Sequence, residues 1–106
     1  MGVDVQHAAR AKVVKAMAHP TRLFVVDELC RHGQRCVCQL ADMIGADMST
    51  VSRHLAVLKD AGILCDEKRG QQVFYRLKLG CVAGLLRCVD RVVQQAAENR
   101  LKVLRD

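Results

Sequence analysis

Single glycines divide the middle of this chain into short segments, each with the apolar spacing of an α-helix. Gly33, Gly45 and Gly62 stand where such segments end, and the left-handed backbone that closes many helices favours glycine. The only proline, Pro20, follows the first segment and suits the first turn of the next helix. The chain is therefore expected to fold into a series of short amphipathic helices.

The predicted elements are four helices, a pair of strands and a final helix. The helices cover residues 5–17, 20–31, 36–44, 48–61 and 79–103, with Asp47 as the N-cap of the fourth. The strands cover residues 64–68 and 72–77, joined through Arg69-Gly70-Gln71. Two short helices around a glycine turn, followed by a polar-faced helix and a basic hairpin, predict a winged helix-turn-helix. Residues 1–106 would form one mainly α domain, with its recognition helix at about 48–61, its β-hairpin wing at about 64–77 and its dimerisation helix at about 79–103.

Length and charge limit the function classes. The 106 residues have room for one domain, and no stretch approaches the roughly 20 apolar residues that span a membrane. Residues 1–10 lack the apolar region of a secretory signal, so a cytoplasmic location is expected. A small thiol enzyme would need a C-x-x-C motif or a nucleophile loop, and neither is present, so no enzymatic activity is expected. The formal net charge of +6 favours an anionic partner.

The predicted fourth helix carries the short hydroxyl and fork-shaped side chains that read the major groove of DNA. Arg53 can contact a guanine edge, His54 can contact DNA or support packing, and the hairpin tip can reach phosphates or the minor groove. The same face could be an ordinary solvated surface, but the hairpin and the positive charge favour DNA. The candidate DNA-binding residues are Ser49, Thr50, Ser52, Arg53, His54, Lys59, Lys68, Arg69 and Gln71.

Several stretches resemble the ArsR/SmtB family of metal-sensing repressors, over about residues 10–90. They are Ala18-His19-Pro20-Thr21-Arg22-Leu23, Met48-Ser49-Thr50-Val51-Ser52-Arg53-His54-Leu55, Leu58-Lys59-Asp60-Ala61-Gly62-Ile63-Leu64, Arg69-Gly70 and Val73-Phe74-Tyr75-Arg76-Leu77. The resemblance implies a homodimer, paired through the first and last helices, that represses an operon until an inducer releases it. Its partner would be double-stranded operator DNA with an imperfect inverted repeat. The apolar surplus of the last helix independently suits a two-fold interface.

Two of the six cysteines, Cys36 and Cys38, lie where the third helix is predicted to begin. Inside a regular helix, residues two apart point about 200° from each other, but at the first turn both thiols can converge. The helix N-terminus and the neighbouring Arg35 also favour a thiolate, the form that binds soft ions. Cys36 and Cys38 are therefore predicted ligands of a soft metal or metalloid.

This C-x-C resembles the inducer site of the arsenic-responsive branch of the family, where C-V-C-x-x-C supplies three thiolates to As(III) or Sb(III). Here Ala41 occupies the third position, so the third ligand stays open between Cys30, a non-thiol group and a more distant thiol. Residues 1–29 hold no cysteine for a cadmium or lead site, and residues 79–106 hold no histidine for a zinc site. The expected inducer is As(III) or Sb(III), with no organic cofactor.

An alternative keeps the fold but makes the protein a thiol redox or persulfide sensor, as in relatives that use a cysteine pair. The candidate pair is Cys30 with Cys88. Cys81 and Cys88 are seven residues apart, about 10.5 Å along one helix face, and are predicted to be core or dimer-interface residues. Cys65 is predicted to be a small buried filler.

Overall fold

The computed structural model describes the backbone of residues 2–105. Over this range, the helices and strands follow in the order α1 (Gly2–Met17), α2 (Pro20–His32), β1 (Gln34–Cys36), α3 (Val37–Ile44), α4 (Met48–Asp60), β2 (Leu64–Arg69), β3 (Gln72–Leu77) and α5 (Val82–Arg105). The predicted class, mainly α with a β-hairpin wing, is confirmed. None of the described helices is long and apolar enough to cross a membrane.

The helix-turn-helix forms because α3 and α4 share one apolar core and a tight glycine turn. Gly45 adopts a left-handed backbone, and its N–H and that of Ala46 both donate to the carbonyl of Ala41, at 2.9 and 3.3 Å. The core beneath the turn joins α2, α3, α4 and the first wing strand. Its most buried members are Val25, Val26, Leu29, Leu40, Val51, Leu55, Leu58 and Leu64. This packing fixes the position of α4 relative to α3.

One strand was not predicted, and it changes the start of α3. The three residues of β1 pair antiparallel with β3, so that the sheet order is β1-β3-β2. A strand this short carries no readable alternation in the sequence, because it is defined by its long-range partner. As a result α3 begins at Val37, and Cys36 is the last strand residue and the N-cap, with an extended backbone.

Other boundaries also differ from the prediction, most by one to three residues, and two of these differences have a local cause. The hairpin loop has two residues instead of three, and Gly70 stands at its first position with φ of 63°, where a type II′ turn requires glycine. The last helix begins at Val82 instead of residue 79. The N–H of Lys78 donates to the carbonyl of Ile63 at 2.9 Å, which holds the chain beside the hairpin before the helix can start.

The long helix α5 lies outside the core. None of its residues is buried, and Val92, Val93 and Leu101 are each more than half exposed. In α2, Val25, Val26 and Leu29 lie in the core, whereas Leu23 and Cys30 are exposed. A contiguous exposed apolar strip such as that of α5 is a common mark of an interface.

Candidate DNA-binding surface and thiol pair

The first turn of α4 is held by its N-cap. The Asp47 carboxylate accepts hydrogen bonds from the Thr50 N–H at 2.7 Å and from the Ser49 hydroxyl at 2.9 Å. These bonds hold the pKa of Asp47 below its ordinary value of 3.8. The predicted cap is therefore confirmed, and it fixes the orientation of the residues that follow it.

Acid should weaken this cap. Because the folded-state pKa of Asp47 lies below 3.8, its contribution to stability is present above that pH and is lost as pH falls through the lower folded value. Asp47→Asn has a neutral cap that does not titrate. Its free energy of unfolding should therefore fall less than that of the wild type between about pH 5 and 2, the range in which folded carboxylates titrate. Urea unfolding of both proteins at several pH values measures this, and parallel pH curves would contradict it.

Most of the predicted DNA-binding residues lie on the surface. On α4, Ser52 and Arg53 point outwards, and the Arg53 guanidinium donates to the Thr50 hydroxyl at 3.3 Å. Thr50 and His54 are half-buried. The exposed members of the set are Ser49, Ser52, Arg53, Lys59, Lys68, Arg69 and Gln71.

His54 faces α2 as well as solvent. Its Nδ1 accepts a hydrogen bond from Nε of Arg22 at 3.1 Å, and its ring lies 4.6 Å from that of His19. Burial and the neighbouring His19, Arg22 and Arg53 lower the pKa of His54, so the ring is neutral and can accept this bond at pH 7. These contacts support the packing interpretation, and DNA contact by His54 stays a prediction.

Loss of the His54 ring should therefore cost stability. His54→Ala leaves the half-buried Arg22 without this acceptor, and we expect the free energy of unfolding to fall by about 1–2 kcal/mol. Ser52→Ala, on the exposed face of the same helix, is the matched control and should change stability by less than about 0.5 kcal/mol. Equal stability of the two variants in urea unfolding would show that the contact contributes nothing.

Two basic residues of the predicted surface have acidic partners within the protein. Lys59 donates to Asp66 at 3.0 Å, which raises the pKa of Lys59 and braces α4 against the wing. The Arg69 guanidinium contacts Glu67 at 2.9 Å and lies over the Phe74 ring, 4.9 Å from its centre. Lys68 is an exposed cation of the hairpin. Lys59 and Arg69 thus make contacts that hold the wing in place, and they also add positive charge to the predicted DNA-binding surface.

The C-x-C thiols meet at the start of α3, as predicted. The sulfur atoms of Cys36 and Cys38 are 2.6 Å apart. Cys36 is buried and caps the helix, since its sulfur accepts the Gln39 N–H at 3.4 Å while the Gln39 side chain accepts the Cys36 N–H at 2.9 Å. This is a capping box with cysteine in the place of serine or threonine. The C-x-x-Q spacing could have revealed Gln39 from the sequence.

The two thiols differ in acidity. Burial opposes ionisation of Cys36, but hydrogen bonds from the Cys38 thiol and from backbone N–H groups hold its pKa below the ordinary 9.0. The same bond, burial and the nearby Cys36 charge raise the pKa of Cys38. Cys36 is therefore the more readily ionised thiol of the pair. Arg35, expected as a positive neighbour, instead pairs with the buried Glu28 at 3.0 Å and ties β1 to α2.

A cleft of about 390 Å³ opens beside the thiol pair. Its walls come from three elements: Cys36, Val37 and Cys38 at the start of α3, Met48 and Ser52 of α4, and Gln71, Gln72 and Val73 of the wing. The Gln72 amide also donates to the Cys38 sulfur at 3.7 Å. Sequence reasoning missed Gln72 and Met48, because their approach depends on how the hairpin folds over α3. The thiols thus face both predicted DNA-reading elements.

The other cysteines lie away from this pair. Cys30 is exposed and lines a separate cleft of about 200 Å³ whose α5 wall is formed by Ala83, Leu86, Arg87 and Asp90. Within residues 2–105, no group of three His, Cys, Asp or Glu side chains is arranged to hold a metal ion. The structure therefore does not bring Cys30 to the pair as the predicted third ligand.

The proposed redox pair is not brought together within one chain either. Cys88 is not among the α5 residues that line the Cys30 cleft, and helical spacing turns it to another face. Cys81 and Cys88 are both exposed. Cys65 is half-buried rather than fully buried, and its thiol lies 3.9 Å from the Arg76 carbonyl.

The fold and this surface define a winged helix-turn-helix regulator. Residues 19–65 match the family model described as bacterial regulatory protein, arsR family. The chain is 33% identical over 95 residues to the arsenical resistance operon repressor of Escherichia coli, covering 90% of this chain and 81% of that protein. This chain therefore belongs to the ArsR family of bacterial regulators.

Other comparisons agree with this assignment. The chain is 43% identical over 65 residues to the arsenic resistance transcriptional regulator ArsR1 of Pseudomonas putida, covering 61% of this chain and about half (51%) of that protein. The crystal structure of the AntR antimony-specific transcriptional repressor matches with a TM-score of 0.76 and 29% identity, covering 89% of this chain and 85% of that one. The homodimeric winged helix-turn-helix domain of Mb0332 from Mycobacterium bovis matches with a TM-score of 0.78 and 30% identity, covering 91% and 88%.

Proposed function

We propose that this protein is a homodimeric transcriptional repressor that leaves its operator when As(III) or Sb(III) binds to Cys36 and Cys38. One observation carries the proposal: Cys36 is at once the last residue of β1 and the cap of α3. The names of the Escherichia coli and Pseudomonas putida relatives and of AntR support metalloid sensing.

The donor set fits a soft metalloid. Thiolate sulfur is the protein ligand that soft ions prefer. The sulfurs of Cys36 and Cys38 are close enough to bind one ion, and the lowered pKa of Cys36 makes its thiol easier to ionise. Cys30 would have to leave the face of α5 to join them, so the proposal rests on the two thiols of the C-x-C alone.

The position of Cys36 supports a route from ligand binding to DNA release. Its sulfur accepts the hydrogen bond that caps α3, so a sulfur engaged as a ligand is a weaker cap. Its backbone pairs with Phe74 of the wing, and α3 packs against α4 through the shared core. A change at Cys36 therefore reaches the wing and the recognition helix together. Such coupling is typically 1–3 kcal/mol, and operator DNA must weaken inducer binding by the same factor.

Dimerisation supplies the second recognition helix. The exposed apolar strip of α5 and the exposed Val13 and Val14 of α1 offer a surface that a second copy can cover. Two α4 helices related by a two-fold axis would read half-sites of an imperfect inverted repeat on one face of the duplex. The exposed serines and Arg53 of α4 would contact bases, and Lys68 and Gln71 would contact the flanking DNA.

A fluorescence-anisotropy titration tests the proposal. The protein is bound to its own upstream promoter DNA at one fixed salt concentration, and arsenite, antimonite, cadmium, zinc and an oxidant are added separately. Release by arsenite or antimonite, at concentrations where zinc has no effect, is the expected result. Release by the oxidant but by neither metalloid would overturn metalloid sensing and favour the redox alternative.

A further inference from the structure

We infer that Arg22 is a positioning residue for operator binding, because its guanidinium joins the end of α1 to the His54 ring and so orients the recognition helix α4. The inference rests on one part of the proposed function, the reading of operator DNA by two α4 helices, and not on metalloid sensing. Two contacts carry it. Nη1 of Arg22 donates to the Ala16 carbonyl at 3.0 Å, and Nε of Arg22 donates to Nδ1 of His54 at 3.1 Å.

The first contact closes the end of α1. A carbonyl in the last turn of a helix has no partner within that helix, and a cationic side chain is favoured at this end of the helix dipole. Ala16 is buried and α1 ends at Met17, so the Arg22 side chain supplies the partner that this carbonyl needs. Arg22 itself is half-buried in the first turn of α2. The end of α1 is therefore tied to α2 by a directional bond.

The second contact limits the rotation of α4 about its own axis. The apolar side of α4 packs into the core through Val51, Leu55 and Leu58, and apolar burial alone has no preferred direction. A hydrogen bond does have one, and it weakens steeply once donor and acceptor are misaligned. His54 follows Arg53, the side chain predicted to contact guanine. The bond to the His54 ring therefore limits how the helix that carries Arg53 can turn.

The same junction connects the predicted dimer surface to the predicted reading surface. The exposed Val13 and Val14 of α1 belong to the surface that a second copy can cover. In a dimer built on that surface, the distance between the two α4 helices depends on how each α4 is held to its own α1. Half-sites one helical turn apart require this distance to be kept. Loss of the junction should therefore weaken operator binding more than non-specific binding, which needs only charge.

The bond from Arg22 to His54 exists only while the His54 ring is neutral. A protonated Nδ1 has no lone pair left to accept a hydrogen bond from Arg22. Burial lowers the pKa of His54 below its ordinary value of 6.5, and so do the neighbouring His19, Arg22 and Arg53. The junction is therefore intact at neutral pH and is lost as the pH falls through this lowered value.

The elements packed against α4 hold further charged groups. These elements are α1, α2, α3 and β2. Lys15 of α1 and Asp60 of α4 share a cleft with Arg22, and Asp66 of β2 pairs with a lysine of α4. Asp42, the one charged residue of α3, is exposed. Among the described residues, only the three neighbours named above act by their charge on the pKa of His54, and each of them lowers it.

Anisotropy titrations on operator DNA and on a scrambled duplex, at one fixed salt concentration, test the inference. The quantity compared is the operator preference, the ratio of the two affinities, because a change in overall charge affects both duplexes. In the wild type, we expect this preference to fall about tenfold between about pH 7.5 and 5, as His54 becomes protonated. A protonated ring that only added charge to the DNA-binding surface would instead raise both affinities.

Two variants separate the partners of the bond. Arg22→Lys keeps the charge but has a methylene in the place of Nε, so its operator preference should already be about tenfold lower at about pH 7.5 and should change little with pH. His54→Asn can place its amide oxygen where Nδ1 accepts, and it does not titrate, so it should keep the high preference at both pH values. Arg31→Lys, whose pair with Asp27 is exposed, and His7→Asn on exposed α1 are matched controls and should follow the wild type.

Three results would overturn the inference: a wild-type operator preference that is constant or rises towards pH 5, an unchanged preference in Arg22→Lys, or a pH curve of His54→Asn that parallels the wild type. Urea unfolding first shows that each variant is folded, and the wild type and His54→Asn decide the question even without Arg22→Lys. A wild type that never prefers the operator would contradict the proposed function and the inference with it. An operator preference that arsenite does not abolish would contradict metalloid sensing alone.

Discussion

Arg53→Ala is expected to weaken operator binding at least 30-fold. A bidentate contact from arginine to guanine contributes about 1–3 kcal/mol of discrimination, and a dimer makes it twice, so that about 2–6 kcal/mol is lost. The side chain is exposed, and its one hydrogen bond within the described chain is to Thr50 on the same helix turn. The free energy of unfolding should therefore change by less than about 0.5 kcal/mol.

The measurement is an anisotropy titration on operator DNA and on a scrambled duplex at the same salt concentration. Lys12→Ala, which removes an exposed cation of α1, is the matched control for loss of charge and should bind both duplexes nearly as the wild type does. An equal loss of affinity on the two duplexes would make Arg53 a phosphate contact instead of a base contact.

Cys36→Ser should separate DNA binding from induction. Serine is a preferred N-cap residue, so its hydroxyl can accept the Gln39 N–H in the place of sulfur and keep α3 folded. Operator affinity should stay within about threefold of the wild type. The arsenite concentration needed for release should rise more than about 100-fold, which corresponds to a loss of about 2.8 kcal/mol of arsenite binding at 1.4 kcal/mol per tenfold. Cys38→Ser should behave in the same way.

Cys65→Ser is the matched control for this experiment. Cys65 is half-buried in β2 and lies outside the cleft, so the variant loses a thiol but keeps the C-x-C pair. It should respond to arsenite as the wild type does. Arsenite-driven release of Cys36→Ser at wild-type concentrations, or loss of operator binding with the fold intact, would contradict the role assigned to Cys36.

Together the two variants locate the two halves of the proposed switch. In the proposed switch, Arg53 belongs to the DNA-reading surface and Cys36 to the sensing pair. Ser52, which lies next to Arg53 on α4, lines the cleft beside the thiols. The sensing pair and the recognition helix therefore line the same cleft. Under the proposed function, a local change at the start of α3 is expected to act on α4.

The helix-turn-helix, the wing and the convergence of the C-x-C thiols could all be predicted from the sequence. These features follow from short-range signals: apolar residues at helical spacing, a capping Asp47, and glycines such as Gly45 and Gly70 whose backbone angles few other residues adopt. The family assignment was also within reach, because the motifs that carry it are contiguous stretches of chain.

The way in which those elements pack together could not be predicted from the sequence. Strand β1 exists because β3 lies beside it, and that pairing makes Cys36 both a strand residue and a helix cap. Cys30 faces α5 instead of the thiol pair, and Arg35 pairs with Glu28 instead of the thiolate. Each of these outcomes depends on packing between different elements, which the spacing and propensity within one element do not encode.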